Sequence, residues 1–377
     1  MSEARFVPNE VTVAIVGGGP AGLGVARVLR DLGVPNVWVL ERGRIGQSFL
    51  NWPSDTHLLT PSFPGNVYGV TDLNAISYDS SPGWSLKREH PDGGAYAWYL
   101  EQAALAFGLS VQCDIDVLGV EPEVDGFSLK TDRGVVRAEF VIWACGQFGT
   151  PSDGGLVGSE HARHYASVRR WQDVPGDEVF VIGGYESGID AALGLLRAGK
   201  RATVFDMATP WEDGDKDPSL ALSPFTRQRL DTSQHNGAIT LEGSVEIVGL
   251  ERESAGIRIL AGDGRSWLSA QEPILATGFG SGTSIVSEWF EYGDEGLPLL
   301  TDHDESTVLP GLFLVGPEVS HNGHLFCFIY KFRQRFAVVV RAITERLGMD
   351  NSALEIYRAH NMYLDDLSCC DDDMCLC

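Results

Sequence analysis

Two sets of residues in this chain have types and spacings that can do chemistry: glycines placed to let a phosphate approach the backbone, and thiols crowded together. Gly17-x-Gly19-x-x-Gly22 follows the apolar, β-branched run Val11-Thr-Val-Ala-Ile-Val16 and opens a helical apolar pattern with Pro20 and Ala21 in its first turn. Val37-Trp-Val-Leu-Glu41 then reads as a second strand ending in an acid. Gly17 permits the tight turn, Gly19 lets a pyrophosphate reach the main chain, and Gly22 lets helix and strand pack closely. The helix N-terminus supplies free N–H groups and a positive dipole end. Glu41 can accept hydrogen bonds from adenosine ribose hydroxyls. Strand, turn, helix, second strand and acid arrive in order, which predicts a dinucleotide site.

The pattern recurs once, at Glu178-Val-Phe-Val-Ile-Gly-Gly-Tyr-Glu-Ser-Gly188, with Ala202-Thr-Val-Phe-Asp206 as its strand and acid. Gly183 and Gly188 fill the first and third positions, Glu186 and Ser187 stand between them, and Tyr185 occupies the second. A side chain there either lifts the nucleotide or weakens its binding. Of seven cysteines, Cys113, Cys145 and Cys327 are scattered, while Cys369, Cys370, Cys375 and Cys377 crowd the end. The vicinal pair and the Cys375-x-Cys377 pair can close strained, easily reduced disulfides or bind a soft metal; a passive tail is the third reading. Asp371, Asp372 and Asp373 raise thiol pKa values by like-charge repulsion, so attack at neutral pH requires docking near positive charge. Lys331, Arg333 and Arg335 are candidates for that charge. His57, His90, His161 and His235 show no convergent spacing, and no metal site is expected.

A chain of 377 residues accommodates two domains, and 44% apolar residues with 44 glycines suit an α/β protein rich in βα turns. Neither an N-terminal leader nor an apolar run of about 18 residues stands out, so a cytoplasmic location without a membrane span is expected. The formal charge of −24 argues against nucleic acid and anionic membrane surfaces as partners. Without export the cysteines are expected to be thiols or catalytic rather than structural disulfides.

Further segments carry a resemblance. Leu40-Glu-Arg-Gly43 with Ile45-Gly-Gln-Ser48, Val141-Ile-Trp-Ala-Cys-Gly146, Pro273-Ile-Leu-Ala-Thr-Gly278 and Pro310-Gly-Leu-Phe-Leu-Val-Gly316 are similar to the motifs of two-dinucleotide-binding flavoproteins, up to about Leu347. Cys145 replaces the family's Thr, and Pro317-Glu318 stands where an Asp is usual. The resemblance implies two Rossmann-like domains, the second inserted in the first: FAD at 1–153 and 276–350, NAD(P)H at 154–275, with Pro151-Ser-Asp-Gly-Gly155 as a linker. A helix over Ser352–Leu367 and a cysteine-rich tail complete 351–377. FAD contacts are implied at the first fingerprint, Glu41, Arg42, Gln47, Ser48, His57, Val117, Cys145, Gly146, Gly278, Gly316 and Glu318. The nicotinamide nucleotide is implied at Gly183, Tyr185, Glu186, Ser187 and Asp206. Asp206, followed by Glu212, Asp213 and Asp215 with no cation between, favours NADH over NADPH. Ser320-His-Asn-Gly-His-Leu-Phe-Cys327 would lie beside the flavin, with His321 or His324 as a general acid and Cys327 as a flavin-facing thiol or a buried structural one.

Three reactions use such a scaffold: disulfide reduction, monooxygenation and thiol oxidation. No redox Cys-x-x-Cys or Cys-x4-Cys stands in either domain, which excludes ordinary thioredoxin or glutathione reductase chemistry. The loop Glu41–Pro53, with Thr56-His57 and Thr60-Pro-Ser62, resembles the bacillithiol-disulfide-reductase-like flavoproteins, whose proposed redox Cys is Ala21 here. The tail is similar in logic to those that carry cysteine pairs in mercuric reductase and large thioredoxin reductases. Leu156-Val-Gly158-Ser-Glu-His161 matches the monooxygenase signature poorly, although His164-Tyr165, Trp171 and Pro175-Gly176 are similar to that lead-in. The expectation is an NAD(P)H-dependent reductase of a small disulfide, with catalytic Cys369, Cys370, Cys375 and Cys377 and a second copy of the chain as a candidate partner. A monooxygenase, a thiol oxidase and a redox or metal sensor are the alternatives.

Overall fold

The computed structural model describes residues 8–65, 69–212, 221–234 and 237–368. It falls into two compact units, one built from the chain up to Leu50, Thr60–Gly149 and the chain from Ser281, the other from Asn51–Leu59 and Thr150–Gly280. Each carries a parallel sheet and an antiparallel meander, an α/β fold with the second unit inserted in the first.

In the first unit β1 (Glu10–Val16), β2 (Val37–Glu41), β3 (Val111–Cys113), β4 (Val117–Glu123), β5 (Gly126–Thr131) and β6 (Gly134–Trp143) form a sheet of order β3-β2-β1-β6-β5-β4, and Leu312–Leu314 pairs with β6. β1 is parallel to β2 and β6, while β4, β5 and β6 are antiparallel. Val13, Ala14 and Ile15 are buried, as a strand covered on both faces requires. The helix α1 (Pro20–Asp31) returns the chain, with Pro20 at its first position.

The second unit repeats this plan. β7 (Arg163–His164), β8 (Glu178–Ile182), β9 (Arg201–Asp206), β10 (Ile239–Gly243) and β14 (Ile274–Leu275) form a parallel sheet of order β10-β9-β8-β14-β7. β11 (Ile247–Glu253), β12 (Gly256–Ala261) and β13 (Ser266–Ser269) form the meander. Corresponding irregularities appear in both units: the register shifts between Val117 and Gly119 and again between Ile247 and Gly249. Gly126 and Gly256 turn at φ 129° and 151°, each where a side chain would strike a backbone carbonyl. The sequence shows only the glycine turns of this repeat.

Two expectations are corrected. The segment Asn51–Leu59 leaves the first unit because Thr56 donates to Asp190 at 2.6 Å and its hydroxyl meets Tyr165 at 2.7 Å. His57 goes with it. The terminal helix is short, Glu355–Ala359, instead of reaching Leu367. Asn361 turns left-handed at φ 54°, and the Leu364 N–H bonds to Gln334 O rather than continuing a helical ladder. Met362 and Tyr363 are still buried, so their apolar spacing marks packing and not helix.

Glycine sets the close approach of helices to their neighbours. A methyl built on Gly24 of α1 would lie 2.1 Å from the Phe336 ring, and one on Gly194 of the helix Glu186–Arg197 2.2 Å from the Trp171 ring. Gly24→Val and Gly194→Val are therefore expected to cost about 1–3 kcal/mol each by overpacking. Gly94→Ala, whose methyl meets only Asp92 at 3.5 Å, should be neutral or stabilising. Denaturant unfolding of the three variants checks the ranking.

Candidate functional site

At the carboxyl end of the first sheet, Gly17 turns at φ 114°, and a methyl on it would sit 2.4 Å from Ala144 O. One on Gly22 would sit 2.0 Å from Gly17 O, so strand, turn and α1 are in contact along the backbone. Around Gly19 the space is open: a methyl there meets nothing within 4 Å. Gly19 is also the N-cap of α1 and gives it no side-chain cap, so the first N–H groups of the helix are left for an external acceptor. This is a cradle of the shape and polarity that a pyrophosphate fits.

Glu41 stands at the end of β2 and accepts from Gly18 N and from Gly43 N, both at 2.7 Å. Ile115 N donates to Glu41 O, which brings the strand starting at Val117 close to the acid. Gly46 N donates to Gly18 O, folding the loop that carries Arg42, Gln47 and Ser48 back onto the turn. Cys145 Sγ donates to Val16 O at 3.6 Å, and a methyl on Gly316 would lie 3.5 Å from Ala21 Cβ. Glu318 is buried and accepts from Gly282 N at 2.8 Å; Gly282 in turn lies against Gly146 O. Gly17, Gly19, Ala21, Cys145, Gly146 and Gly316 thus lie around one turn. Burial pushes Glu318 up, against the pull of Ser281 and Gly282. Burial also raises the Cys145 thiol well above its ordinary value, with Glu41 adding to the effect, so Cys145 is a neutral thiol rather than a nucleophile.

The second unit builds the same turn with different surroundings. Asp206 accepts from Gly184 N at 2.6 Å and Ala208 N at 2.7 Å. Tyr185 is the N-cap of the helix Glu186–Arg197 and is 45% exposed. Glu186 is turned aside, accepting from Ser223 N and from the Thr226 hydroxyl. His164 accepts from Ala166 N at Nδ1 and donates from Nε2 to Gly278 O at 3.0 Å, so Gly278 belongs to the second unit's strand ends. Sequence reasoning did not assign His164 this clamping role, for which its place at the end of β7 was the available signal.

The candidate acid–base residues lie on a hairpin, Ser320-His321 pairing with His324-Leu325 around Asn322 and Gly323, both at positive φ. His324 and Cys327 are half-buried. His321 is buried with Nε2 2.6 Å from Asp304, so it is committed to a carboxylate. Arg335 also binds Asp304, at 2.8 Å, and holds Asp302 O and Leu364 O. Arg333 donates to Asp72 O, Ala75 O and Thr71 O. Both arginines are buried, which corrects their expected role as surface charge for docking thiols. The Asp304–Arg335 pair was invisible in sequence because 31 residues separate its members. Cys369, Cys370, Cys375 and Cys377 lie outside the described residues. Among the described residues no cluster has the make-up of a metal site, and no helix is long and apolar enough to cross a membrane.

The pyridine nucleotide-disulphide oxidoreductase family matches residues 14–316, and the chain belongs to it. Bacilliredoxin reductase Bdr of Bacillus subtilis is 24% identical over 60% of this chain and 64% of its own. Flavin-containing monooxygenase FMO GS-OX4 of Arabidopsis thaliana is 27% identical over 64% of this chain and 59% of its own. The chain thus spans less than two thirds of the length of these curated relatives. The solved structure of bacillithiol disulfide reductase Bdr (YpdA) from Staphylococcus aureus shares the fold, with TM-score 0.74 and 20% identity over 90% of this chain and 99% of that one.

Burial pushes the Asp304 carboxyl up, but Arg335 and His321 outweigh it and leave its pKa lowered. Such a group stabilises the fold above its unfolded pKa and ceases to do so as pH falls through the folded value. Arg335→Met leaves Asp304 buried without its guanidinium, an expected loss of about 3–5 kcal/mol at neutral pH. With only His321 left to oppose burial, the folded carboxyl titrates higher than in the wild type, so the deficit shrinks on acidification. Urea unfolding of wild type and variant at neutral and mildly acidic pH reads both effects.

Proposed function

We propose that the protein is an FAD-dependent, NAD(P)H-consuming reductase of a small thiol disulfide, with NADH as the favoured donor. The observation that carries the reading is the doubled strand-end site: an uncapped glycine turn beside Glu41 in one unit and beside Asp206 in the other. FAD held in the first unit would supply the two-electron carrier between the nicotinamide and the disulfide. The balance is one NADH, one proton and one disulfide giving one NAD⁺ and two thiols. Gly17, Gly19 and the first turn of α1 would hold the pyrophosphate, and Glu41 the ribose. Asp206 would take the nicotinamide nucleotide's adenosine ribose and disfavour a 2′-phosphate.

The bacillithiol and bacilliredoxin reductases among the relatives support the disulfide as acceptor; the monooxygenases support the alternative, oxygen-coupled turnover of a non-thiol substrate. Burial of the Cys145 thiol argues against a thiolate at the glycine turn; the cysteines from Cys369 onward are the relay in this reading, and Cys327 is the thiol to test if they are not. Nine extended residues span at most about 30 Å. Leu364, just before them, is held by Arg335, which shares Asp304 with His321 of the hairpin that carries His324. His324 is the acid proposed for the departing thiolate, with the cytoplasm as the setting.

NADH consumption measured without dioxygen against a panel of small disulfides is expected to show turnover with one of them. Removal of everything after Leu367 is expected to abolish that turnover while FAD content and flavin reduction by NADH persist. Turnover only with dioxygen selects the monooxygenase; full disulfide turnover in the truncated protein eliminates the relay.

A further inference from the structure

The two glycine turns differ in what lies over them. In the first unit a methyl built on Gly18 would meet only Glu41, at 3.0 Å from Cβ and 3.1 Å from Oε2. In the second, a methyl on the corresponding Gly184 would stand 2.4 Å from Trp211 Cζ3, with Asp206 Cβ next at 2.8 Å. The same edge of the ring approaches the end of β10, where a methyl on Gly243 would stand 2.1 Å from Thr209 Cγ2 and 3.3 Å from Trp211 Cζ2. The indole therefore lies over the Gly184 turn and Asp206, at the carboxyl ends of β8 and β9, with one edge near the end of β10. Trp211 is only half-buried.

That placement has a chemical meaning. In a parallel sheet of order β10-β9-β8-β14-β7, the dinucleotide crosses at β8, and its adenosine half falls on the side of the strand-end acid. Trp211 is on that side, five residues beyond Asp206, and the residues between bring no Lys or Arg. A core tryptophan is fully enclosed; this one lies beside the Gly184 turn and the Asp206 side chain and keeps part of its surface accessible. Flat aromatic rings so disposed stack on nucleobases whatever the base, because every base offers a π face.

We infer that Trp211 is the adenine platform of the second unit, recognising an adenine nucleotide by stacking while Asp206 takes its ribose. The inference rests on the proposed nicotinamide-nucleotide site and names the residue that grips its non-reacting end. Trp211 is a binding residue remote from the nicotinamide, so its loss weakens affinity and leaves the hydride step itself alone.

The test is calorimetric titration of the whole protein with ADP-ribose, and with nicotinamide mononucleotide as the probe that lacks adenine. Trp211→Leu keeps a bulky apolar group over Gly184 but removes the flat ring; Trp211→Phe restores a ring. Trp211→Leu is expected to weaken ADP-ribose binding about tenfold, with Trp211→Phe recovering most of it and nicotinamide mononucleotide unaffected. In turnover, KM for NADH should rise in Trp211→Leu with kcat unchanged. Equal ADP-ribose affinity in the Leu and Phe variants makes the ring mere packing and overturns the inference, as does tighter binding in either, which makes it a plug. Wild type that is reduced by NADH yet shows no dependence on Trp211 sinks this inference alone. Wild type that neither binds ADP-ribose nor is reduced by NADH sinks the nucleotide site with it.

Discussion

One contact, made twice, organises this molecule: a carboxylate at the end of a parallel strand accepts the N–H of the glycine turn on the neighbouring strand. Glu41 does so with Gly18, and Asp206 with Gly184. Each acid also accepts from the loop beyond its own strand, Gly43 or Ala208. The turn, the start of its helix and the loop after the second strand are thereby tied to one charged group. Such charge-assisted bonds are short and directional. They fix the backbone N–H groups of the helix start before any ligand arrives, which lowers the ordering cost of binding one.

The same contact explains how two units of one plan can serve different ends. In the first, the turn is bordered by Cys145, Gly146 and Gly316, and Gly19 faces open space. In the second, Tyr185 caps the helix, Glu186 is drawn off toward Ser223 and Thr226, and Trp211 lies over Gly184. The scaffold is common and the rims are not, as expected where function resides in a site grafted on a fold. The family match and the mixture of disulfide reductases and monooxygenases among the relatives describe that situation from outside the molecule.

What the sequence disclosed was local. Gly17, Gly22, Gly183 and Gly188 are legible because each answers a steric demand within a few residues of itself, and the alternation of strand and helix follows from their spacing. The repeated meanders were not legible, since a bulge at Gly119 or Gly249 is set by pairing with another strand. The helix expected to reach Leu367 ends early because Asn361 turns left-handed, and the apolar Met362 and Tyr363 beyond it are buried by packing. Arg333 and Arg335 read as charge for docking thiols, and burial against Asp304 and the carbonyls of Thr71, Asp72 and Ala75 reversed that reading; His321 read as a general acid and is held by Asp304 instead. Trp211 carries no motif, and its place over the Gly184 turn is set by packing that no local pattern records.

The central claim is that electrons pass from a nicotinamide through FAD in the first unit to a disulfide. Its most direct measurement is the visible absorbance of the purified yellow protein in a sealed cell, mixed first with one equivalent of NADH and then with a small disulfide. The account predicts that the yellow band bleaches on the first addition and returns on the second, with two thiols released per flavin reoxidised. A flavin that stays bleached until dioxygen is admitted, whatever disulfide is offered, contradicts it.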